Sequence, residues 1–325
     1  MTPYRDSTLW ERFKAFSFHL FPHHALSRLT YCLARLDTSL KNPLVEAYIR
    51  FFKVDMQEAE FPNPGDYPSF NDFFTRKLKD GVHKINTNPS TLISPCDGTV
   101  TQIGKIEQGT LMQAKGRYYG VEELLGGNHP QAHATAEEFI NGGFCSMYLS
   151  PRDYHRVHAP ADVRLKTMAH IPGRLFSVAA YAPRTIPRLY VRNERVACIF
   201  ESDLGAIAVV MVGALNVGSI ETTWHGVVTP SVYAVTRVDY SQDLPAREVD
   251  LGRGEELGRF NLGSCVIVLT SNPELSWNPA CAPGKHIRMG DELGCIMDKN
   301  TVSEQSPGQS SGQKEPTFKL AETEE

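Results

Sequence analysis

The stretch GRFNLGSCVIVLT, residues 258–270, places a serine between a glycine and an apolar run. A Gly-Ser step before a strand is common turn chemistry, because glycine adopts unusual backbone angles and serine forms local hydrogen bonds. The same hydroxyl becomes a nucleophile when a base removes its proton. Ser264 follows Gly263 directly, which does not match the G-x-S-x-G turn of many hydrolases. Ser264 is therefore either a turn residue or a nucleophile of another kind.

Two histidines three residues apart, His155 and His158, lie in the segment LSPRDYHRVHAP, residues 149–160. On a helix, both imidazoles would share one face and favour a metal site. Prolines bracket the motif, and no set of Cys or Glu ligands lies nearby, which argues against a metal. In an extended segment, residues three apart point to opposite sides of the chain. We therefore expect the two histidines to have different roles.

Asp97 precedes Gly98 in the segment SPCDGTV, residues 94–100, between two runs that resemble strands. An isolated Asp-Gly step usually caps a turn. A carboxylate fixed by such a turn can also orient a histidine. Together, Asp97, His158 and Ser264 supply the orienting carboxylate, the base and the nucleophile of a triad. Because such triads recur in several chain orders, the order Asp, His, Ser proves little.

The elements that must position these residues are short strands. Segments 91–106, 144–150, 195–200, 206–214 and 265–270 are β-branched and bounded by Gly, Pro, Asp or Ser. A five-residue loop joins the third and fourth, which predicts a hairpin. Short helices are predicted at 121–126 and 133–140. Strands without long helices between them favour a β-rich core, and the helical N-terminus makes the predicted fold class α+β.

Residues 1–55 differ from the rest of the chain. They are rich in aromatic and aliphatic residues, carry more Lys and Arg than Asp and Glu, and show the spacing of amphipathic helices. Two interpretations stay open: helices packed on their own domain, or a basic helical hairpin lying in a lipid interface. We divide the chain into a membrane-associating helical segment, 1–55, a catalytic β-rich domain, 56–300, and a disordered polar tail, 301–325.

Composition and charge exclude several classes of protein. The chain has 325 residues, 41% hydrophobic and 22% charged, as in an ordinary globular protein. A net charge of -4 gives no reason to expect a nucleic-acid partner. Seven scattered cysteines without a C-x-x-C pair predict free thiols in a reducing compartment. No segment approaches the roughly 18 apolar residues of a spanning helix, and no signal peptide is evident, so we expect a cytoplasmic protein able to bind a membrane surface.

Several segments together resemble bacterial phosphatidylserine decarboxylases. They are LGSC, YLSPRDYHRVHAP, SPCDGTV, FFKVDMQEAE, MQAKGRYYG, VRNERV and VGALNVGSIETTW. The resemblance covers residues 45–295 and is looser in the N-terminal helices. The histidine motif and the L-G-S motif at this separation are jointly specific. One position departs from the family pattern, since Cys265 stands where the family usually has Thr or Ser.

The resemblance implies a proenzyme that cuts itself between Gly263 and Ser264. His158, oriented by Asp97, removes the Ser264 proton, and the hydroxyl attacks the Gly263 carbonyl. Elimination and hydrolysis then turn Ser264 into a pyruvoyl group, the implied cofactor, at the start of a short chain of 325 - 263 = 62 residues. The resemblance further implies a Schiff base between this group and phosphatidylserine, loss of CO₂ and release of phosphatidylethanolamine.

Other features follow from the same resemblance. His155 is the candidate proton donor, with an imidazole pKa expected near the working pH. Lys115 and Arg117 are candidates for contact with the lipid phosphate. The core is expected to resemble the barrel-sandwich hybrid of lipoyl and biotinyl carriers. The expected assembly is a homodimer of cleaved protomers, each with a long and a short chain, on the anionic cytoplasmic surface of the cell membrane.

Three other interpretations stay open. A Ser-His-Asp hydrolase would keep Ser264 as a persistent nucleophile in an intact chain. A lipoyl-like carrier or membrane-binding module would need a modifiable lysine at a β-turn, usually flanked by Met, and no M-K-M motif is present. A pyruvoyl decarboxylase acting on a soluble amine would have no need of the basic, aromatic N-terminus.

Overall fold

The computed structural model describes residues 8, 11, 23–114, 116–127, 129–214, 219–229, 234–240, 248–261 and 264–296. Lys115, Gly263 and the tail 301–325 lie outside the described residues, as does most of the segment before residue 23. The described helices are α1 (His23–Ala34), α2 (Lys41–Phe52), a short 3-10 helix (Pro64–Asp66), α3 (Phe70–Phe74), α4 (Val121–Leu125), α5 (Pro130–Glu137), α6 (Ala182–Thr185) and α7 (Leu189–Arg192).

The remaining regular structure consists of short strands. They are β1 (Thr91–Ile93), β2 (Gly98–Lys105), β3 (Thr110–Ala114), β4 (Arg117–Gly120), β5 (Gly143–Leu149), β6 (Arg156–His158), β7 (Val163–Ile171), β8 (Arg195–Glu201), β9 (Ile207–Gly213), β10 (Ile220–Thr222), β11 (Gly226–Val227), β12 (Thr236–Asp239), β13 (Asp250–Leu251), β14 (Glu256–Phe260), β15 (Ser264–Thr270), β16 (Leu275–Trp277), β17 (His286–Ile287) and β18 (Glu292–Ile296).

These strands form four sheets. The largest has nine strands, in the order β12-β7-β8-β9-β15-β5-β2-β17 with β13 also paired to β7. A second sheet runs β11-β10-β14-β6, a third runs β1-β18-β16, and β3 pairs with β4. The pairings between these named strands are antiparallel. Antiparallel sheets with a few short helices make the fold α+β, which confirms the predicted class.

The core is built around β15, in the interior of the large sheet. Every residue of β15 is buried, and β5 and β9 pair with its two edges. Residue 264 pairs with Leu149 of β5 and with Gly213 of β9. A strand covered on both faces needs apolar residues at successive positions rather than alternation. The apolar run after Ser264 therefore becomes the central strand of the molecule.

The segment predictions from the sequence are largely confirmed. The five predicted strand segments contain β1 with β2, and then β5, β8, β9 and β15. The predicted hairpin is the antiparallel pair β8 and β9. The helix predicted at 121–126 is α4, but the one predicted at 133–140 was misplaced, since α5 spans Pro130–Glu137. Proline fits the first turn of a helix, where its missing N–H is not needed.

The N-terminal helices expose large apolar side chains. Between positions 29 and 51, six such residues are more than half exposed: Leu29, Leu33, Leu36, Leu40, Leu44 and Phe51. We call these six side chains the apolar face. The opposite side of α2 packs into a small separate core with Val45, Val54, Tyr67 and Phe73. None of the described helices is long and apolar enough to cross a membrane.

Candidate functional site

Asp97 lies in the connection between β1 and β2 and is largely buried. Its Oδ1 atom accepts a hydrogen bond from the backbone N–H of Met289 at 2.7 Å and lies 2.7 Å from Nε2 of His83. Gly98 follows because β5 passes close by: a Cβ atom there would lie 2.8 Å from the carbonyl oxygen of Tyr148. The glycine of the Asp-Gly step is therefore required by close strand packing, and it begins β2.

His158 ends β6, where its backbone N–H donates to the carbonyl of Pro95 at 2.8 Å. Its Nδ1 atom lies 2.8 Å from the carbonyl oxygen of Gly254. A carbonyl oxygen only accepts, so Nδ1 carries the proton of the neutral ring. Nε2 then accepts from the hydroxyl of Tyr154 at 2.9 Å. Burial lowers the pKa of His158, so the ring is a neutral base with its lone pair on Nε2.

Asp97 was expected to orient His158, and the structure shows a different contact. Among the described residues, the hydrogen bonds of Asp97 go to His83 and Met289, and none goes to His158. The reason is that the Gly254 carbonyl already holds Nδ1 of His158. Asp97 and His158 are nevertheless linked through Tyr154. The ring of Tyr154 lies 5.5 Å from the ring of His83, which binds Asp97, and 5.6 Å from the ring of His158.

His155 lies on the other side of the same segment, fully buried. Its ring stacks on Phe74 with centroids 4.1 Å apart, and neither ring nitrogen has a hydrogen-bond partner among the described residues. Burial, with the positive charge of Arg76, lowers the pKa of His155 to about 3. The expectation of a pKa near the working pH is therefore wrong for this conformation, because an apolar environment disfavours the imidazolium.

Ser264 is the first residue of β15 and is fully buried. Its Oγ atom has no hydrogen-bond partner in the described part of the chain, so no hydrogen bond joins it to His155 or His158 there. The three residues come from adjacent segments: the N–H of Phe260, four positions before Ser264, donates to the carbonyl of His155 at 3.0 Å. The structure thus brings the histidine motif to the chain that leads into Ser264.

The other residues singled out from the sequence are Arg117, Lys115, Gly263 and Cys265. Arg117 begins β4 and is half-buried, with no ion pair among the described residues. Lys115 and Gly263 lie outside those residues, so the scissile bond itself is not described. Cys265 is fully buried, and burial raises the pKa of its thiol to about 12. A thiol with that pKa stays protonated, so Cys265 does not compete with Ser264 as a nucleophile.

Sequence reasoning missed three residues that shape the site: His83, Tyr154 and Gly254. Tyr154 lies inside the histidine motif, and its position between His155 and the charged residues of that motif was the signal that could have identified it. Gly254 ends a segment without any recognisable motif, and its φ of 77° lets the turn before β14 point a carbonyl at His158. His83 precedes Asp97 by 14 residues, and no local pattern connects the two.

A buried serine, a neutral histidine and a carboxylate on a β-rich α+β scaffold are the residue types of a candidate site for acyl chemistry. A family model described as phosphatidylserine decarboxylase matches residues 70–295, and a second, described as PSD, matches residues 13–53. The chain belongs to the phosphatidylserine decarboxylase family.

Curated relatives cover most of this chain and nearly all of their own length. A phosphatidylserine decarboxylase proenzyme of Alkalilimnicola ehrlichii is 49% identical over 89% of this chain and 99% of its own. The proteins of the same name from Azotobacter vinelandii and Bordetella pertussis are 46% and 45% identical, each over 85% of this chain. They cover 95% and 91% of those relatives.

Proposed function

We propose that this chain is a proenzyme that cuts itself between Gly263 and Ser264, and that the product decarboxylates phosphatidylserine to phosphatidylethanolamine. The observation that carries the proposal is the buried hydroxyl of Ser264, which has no described hydrogen-bond partner at the start of the central strand. An unsatisfied buried hydroxyl is costly, and reactive groups are one reason why such atoms are kept. The relatives are themselves named as proenzymes.

Self-cleavage proceeds through an ester. Ser264 Oγ attacks the carbonyl carbon of Gly263, the C–N bond between the two residues breaks, and the freed nitrogen takes up a proton. The carboxylate of Gly263 then leaves from Cβ of residue 264 as the Cα proton is removed, and hydrolysis of the resulting enamine releases ammonia and leaves a ketone. Attack within one chain is favoured because nucleophile and carbonyl are already neighbours.

His158 is the base in this proposal. Its Nδ1 proton is held by the Gly254 carbonyl, so only Nε2 can accept the Ser264 proton. In the described conformation Tyr154 donates to Nε2, and the hydroxyl of Tyr154 must release that atom before the transfer. Asp97 acts indirectly, because it binds His83, whose ring lies 5.5 Å from the ring of Tyr154.

The cofactor proposed is a pyruvoyl group derived from Ser264. The surroundings fit it, because position 264 is fully buried, with Leu149 of β5 and Gly213 of β9 as its strand partners, and burial limits the access of water to a reactive carbonyl. When present, this group supplies a ketone that binds the amine of the substrate and draws electrons from the bond to the departing carboxylate. Leu149 and Gly213 would hold it in position.

His155 is the proposed donor of the proton that replaces CO₂. It is neutral in the described conformation, because burial lowers its pKa. An anionic substrate nearby favours the imidazolium, so binding of phosphatidylserine would raise the pKa of His155 and load it with a proton.

The location proposed is the anionic, cytoplasmic surface of the cell membrane. A two-chain lipid leaves a bilayer at a cost of about 0.8 kcal/mol per methylene, so the site must come to the lipid. The apolar face on α1, α2 and their connection provides exposed hydrocarbon, and Arg28, Arg50 and Lys53 are exposed on the same helices. The same proposal includes amphipathic N-terminal helices, segment boundaries at residues 55 and 300, and a barrel-sandwich-like core. It also includes a homodimer and the contact of Arg117 or Lys115 with the lipid phosphate.

A Ser-His-Asp hydrolase is less compatible with the geometry. A persistent nucleophile would keep the chain intact, whereas the relatives are named as proenzymes. Such a triad also needs the carboxylate to hold the histidine, whereas Asp97 binds His83.

The test of the proposed function replaces the serine. Purified wild-type protein should give two bands on a denaturing gel, one of them the 62-residue chain that starts at position 264 (325 - 263), and should release CO₂ from phosphatidylserine. Ser264→Ala should give one uncut band and no CO₂. Ser146→Ala is the matched control, since Ser146 Oγ in β5 is likewise buried without a described hydrogen-bond partner, and this variant should still cut itself. An active, uncut Ser264→Ala protein would refute the proposal.

A further inference from the structure

A cavity of about 330 Å³ opens beside Asp97 and Tyr154. This volume lies within the roughly 300–1,000 Å³ of small-molecule sites. Its lining is unusually rich in charge, with the cations Lys53, Arg76, Arg152, His286 and Arg288 facing several carboxylates. Lys53 directly follows α2, which carries exposed Phe51 of the apolar face. The mouth of the cavity therefore adjoins the surface proposed to meet the membrane.

Most charges in this cavity already have partners. Arg288 binds Glu58 at 2.8 Å, and His286 lies 3.3 Å from Asp153. Arg152 also approaches Asp153, at 3.7 Å. Within these pairs the positive and negative charges neutralise each other, so the paired residues offer little net charge to attract a ligand.

Lys53 and Arg76 have no carboxylate partner among the described residues, and of the two only Arg76 is buried. It is 4% exposed, and none of the described carboxylates lies within ion-pair distance of it. Its Nη2 atom donates to the carbonyl of Arg152 at 3.1 Å, while the buried Nε and Nη1 atoms have no acceptor among the described residues. A buried guanidinium with unused N–H groups is costly, and an anion would satisfy both the charge and the donors.

A second buried arginine shows what a purely structural guanidinium looks like in this fold. Arg195 donates to four backbone carbonyls, those of Glu123, Leu124, Val191 and Asn193. All of its nitrogens are used, and it lines none of the cavities beside the catalytic residues. Arg76 differs in both respects.

Arg76 and Asp97 line the same cavity, together with Tyr154, whose hydroxyl donates to His158. The positive charge of Arg76 also helps to lower the pKa of His155. An anion held by Arg76 would therefore lie beside residues of the proposed site.

We propose that Arg76 holds the phosphodiester of the substrate headgroup in this cavity, and that Lys115 or Arg117 adds a second contact to it. The alternative anion on the same lipid is the serine carboxylate, and the chemistry argues against it. That group leaves as neutral CO₂, so an ion pair to it would stabilise the reactant more than the transition state. The phosphodiester keeps its charge throughout the reaction, so Arg76 can hold it without resisting the chemistry. This inference rests on the proposed function, which supplies the lipid as the substrate.

The test compares Arg76→Gln with wild type and uses Arg164→Gln as the control. Arg164 pairs with Asp250 at the surface, away from the cavity. With a short-chain phosphatidylserine in micelles, Arg76→Gln should raise KM at least tenfold and leave kcat within threefold, because a contact equal in both states is lost. Arg76→Lys, which keeps the charge but not the planar donors, should give an intermediate KM. Arg164→Gln should match wild type.

Soluble headgroup analogues identify the anion. Glycerophosphoethanolamine has the phosphodiester but no carboxylate, and free serine has only the carboxylate. Calorimetric affinity for glycerophosphoethanolamine should fall at least tenfold in Arg76→Gln, while any affinity for serine should not change. The opposite pattern, or equal affinities in both proteins, would overturn the proposal.

Three further outcomes are also decisive. Inorganic phosphate that binds as tightly as glycerophosphoethanolamine, through Arg76, would mean a free-anion site and would refute a headgroup site. If both Arg76 variants stay uncut, Arg76 is structural and the proposal fails. If wild type releases no CO₂ yet binds glycerophosphoethanolamine through Arg76, the proposed function fails while the assigned contact stands.

Discussion

The ring of His155 is fully buried and stacks on Phe74, and this burial decides when it can carry charge. In the unfolded chain a histidine has a pKa of about 6.5, whereas in the folded protein burial lowers the pKa of His155 to about 3. Between these values the unfolded state holds a proton that the folded state lacks. The stabilising contribution is therefore complete above about pH 6.5 and is lost by about 1.4 kcal/mol per pH unit as the pH falls below that value.

The lowered pKa of His155 gives a prediction about how stability depends on pH. In the uncut Ser264→Ala protein, adding His155→Phe should make the loss of unfolding free energy between pH 7.5 and 5.5 smaller by about 1.4 kcal/mol. Urea denaturation at the two pH values measures the difference. The exposed His133 has its pKa raised by a hydrogen bond with Glu122, so His133→Asn should change the pH dependence in the opposite direction. Equal losses with and without His155 would contradict the assignment.

A second prediction separates the two histidines. His155→Ala should leave self-cleavage largely intact and lower the decarboxylation rate by about 10² to 10⁴, the usual contribution of a proton donor. His158→Ala should instead block self-cleavage, because only Nε2 of that ring is available to the serine proton. Gel analysis and CO₂ release follow the two activities separately. Loss of cleavage in His155→Ala would show that the roles are not divided in this way.

Strand β14 leads toward the cleavage segment, and a carboxylate on β10 holds it in place. Glu221 binds Arg259 at 2.6 Å and Asn261 at 2.9 Å, both a few positions before Ser264, and also binds Arg35, which directly follows α1, at 3.0 Å. Burial raises the pKa of Glu221, but the contacts with Arg259, Asn261 and Arg35 outweigh it and lower the pKa overall. One buried side chain thus joins an N-terminal helix to the strand before the scissile bond.

Removing that charge should slow processing. Glu221→Gln is expected to lower the self-cleavage rate at least tenfold and the unfolding free energy by about 2 kcal/mol, because two arginines lose a partly buried partner. A gel time course and urea denaturation measure the two effects. Asp250→Asn, which breaks the exposed pair with Arg164, should change stability by less than about 0.5 kcal/mol and leave cleavage unchanged. Unchanged cleavage in Glu221→Gln would show that this contact does not position the segment.

At the scale of the whole molecule, the apolar face must meet the lipid for the site to be reached. Replacing Leu33 and Phe51 with Asp should weaken sedimentation with anionic vesicles at least tenfold, since each buried side chain contributes more than the roughly 1.4 kcal/mol that a factor of ten requires. The control adds the same charges at exposed Gln131 and Ala134 of α5, and should reduce binding much less. Equal effects would point to charge alone and would contradict a membrane role for the apolar face.

Predictable features were those that local sequence encodes. The run after Ser264 predicts a buried strand because its own residues are apolar, and β15 is that strand. The two histidines were predicted to differ because residues three apart diverge in an extended chain, and one ring is indeed bonded while the other is not. The ends of α5 were missed because a helix start depends on caps as much as on apolar spacing.

The sequence by itself determined the family, the α+β class and most of the strands, and it singled out Asp97, His155, His158 and Ser264 as candidate site residues. Only the tertiary structure decided what those residues touch. His158 is held by a carbonyl 96 residues away, and Arg76 contacts a carbonyl 76 residues away. These partners meet only when distant segments pack together. The same packing removes water from His155 and Arg76, which leaves His155 neutral and Arg76 without acceptors for two of its nitrogens. No local pattern of residues contains this information.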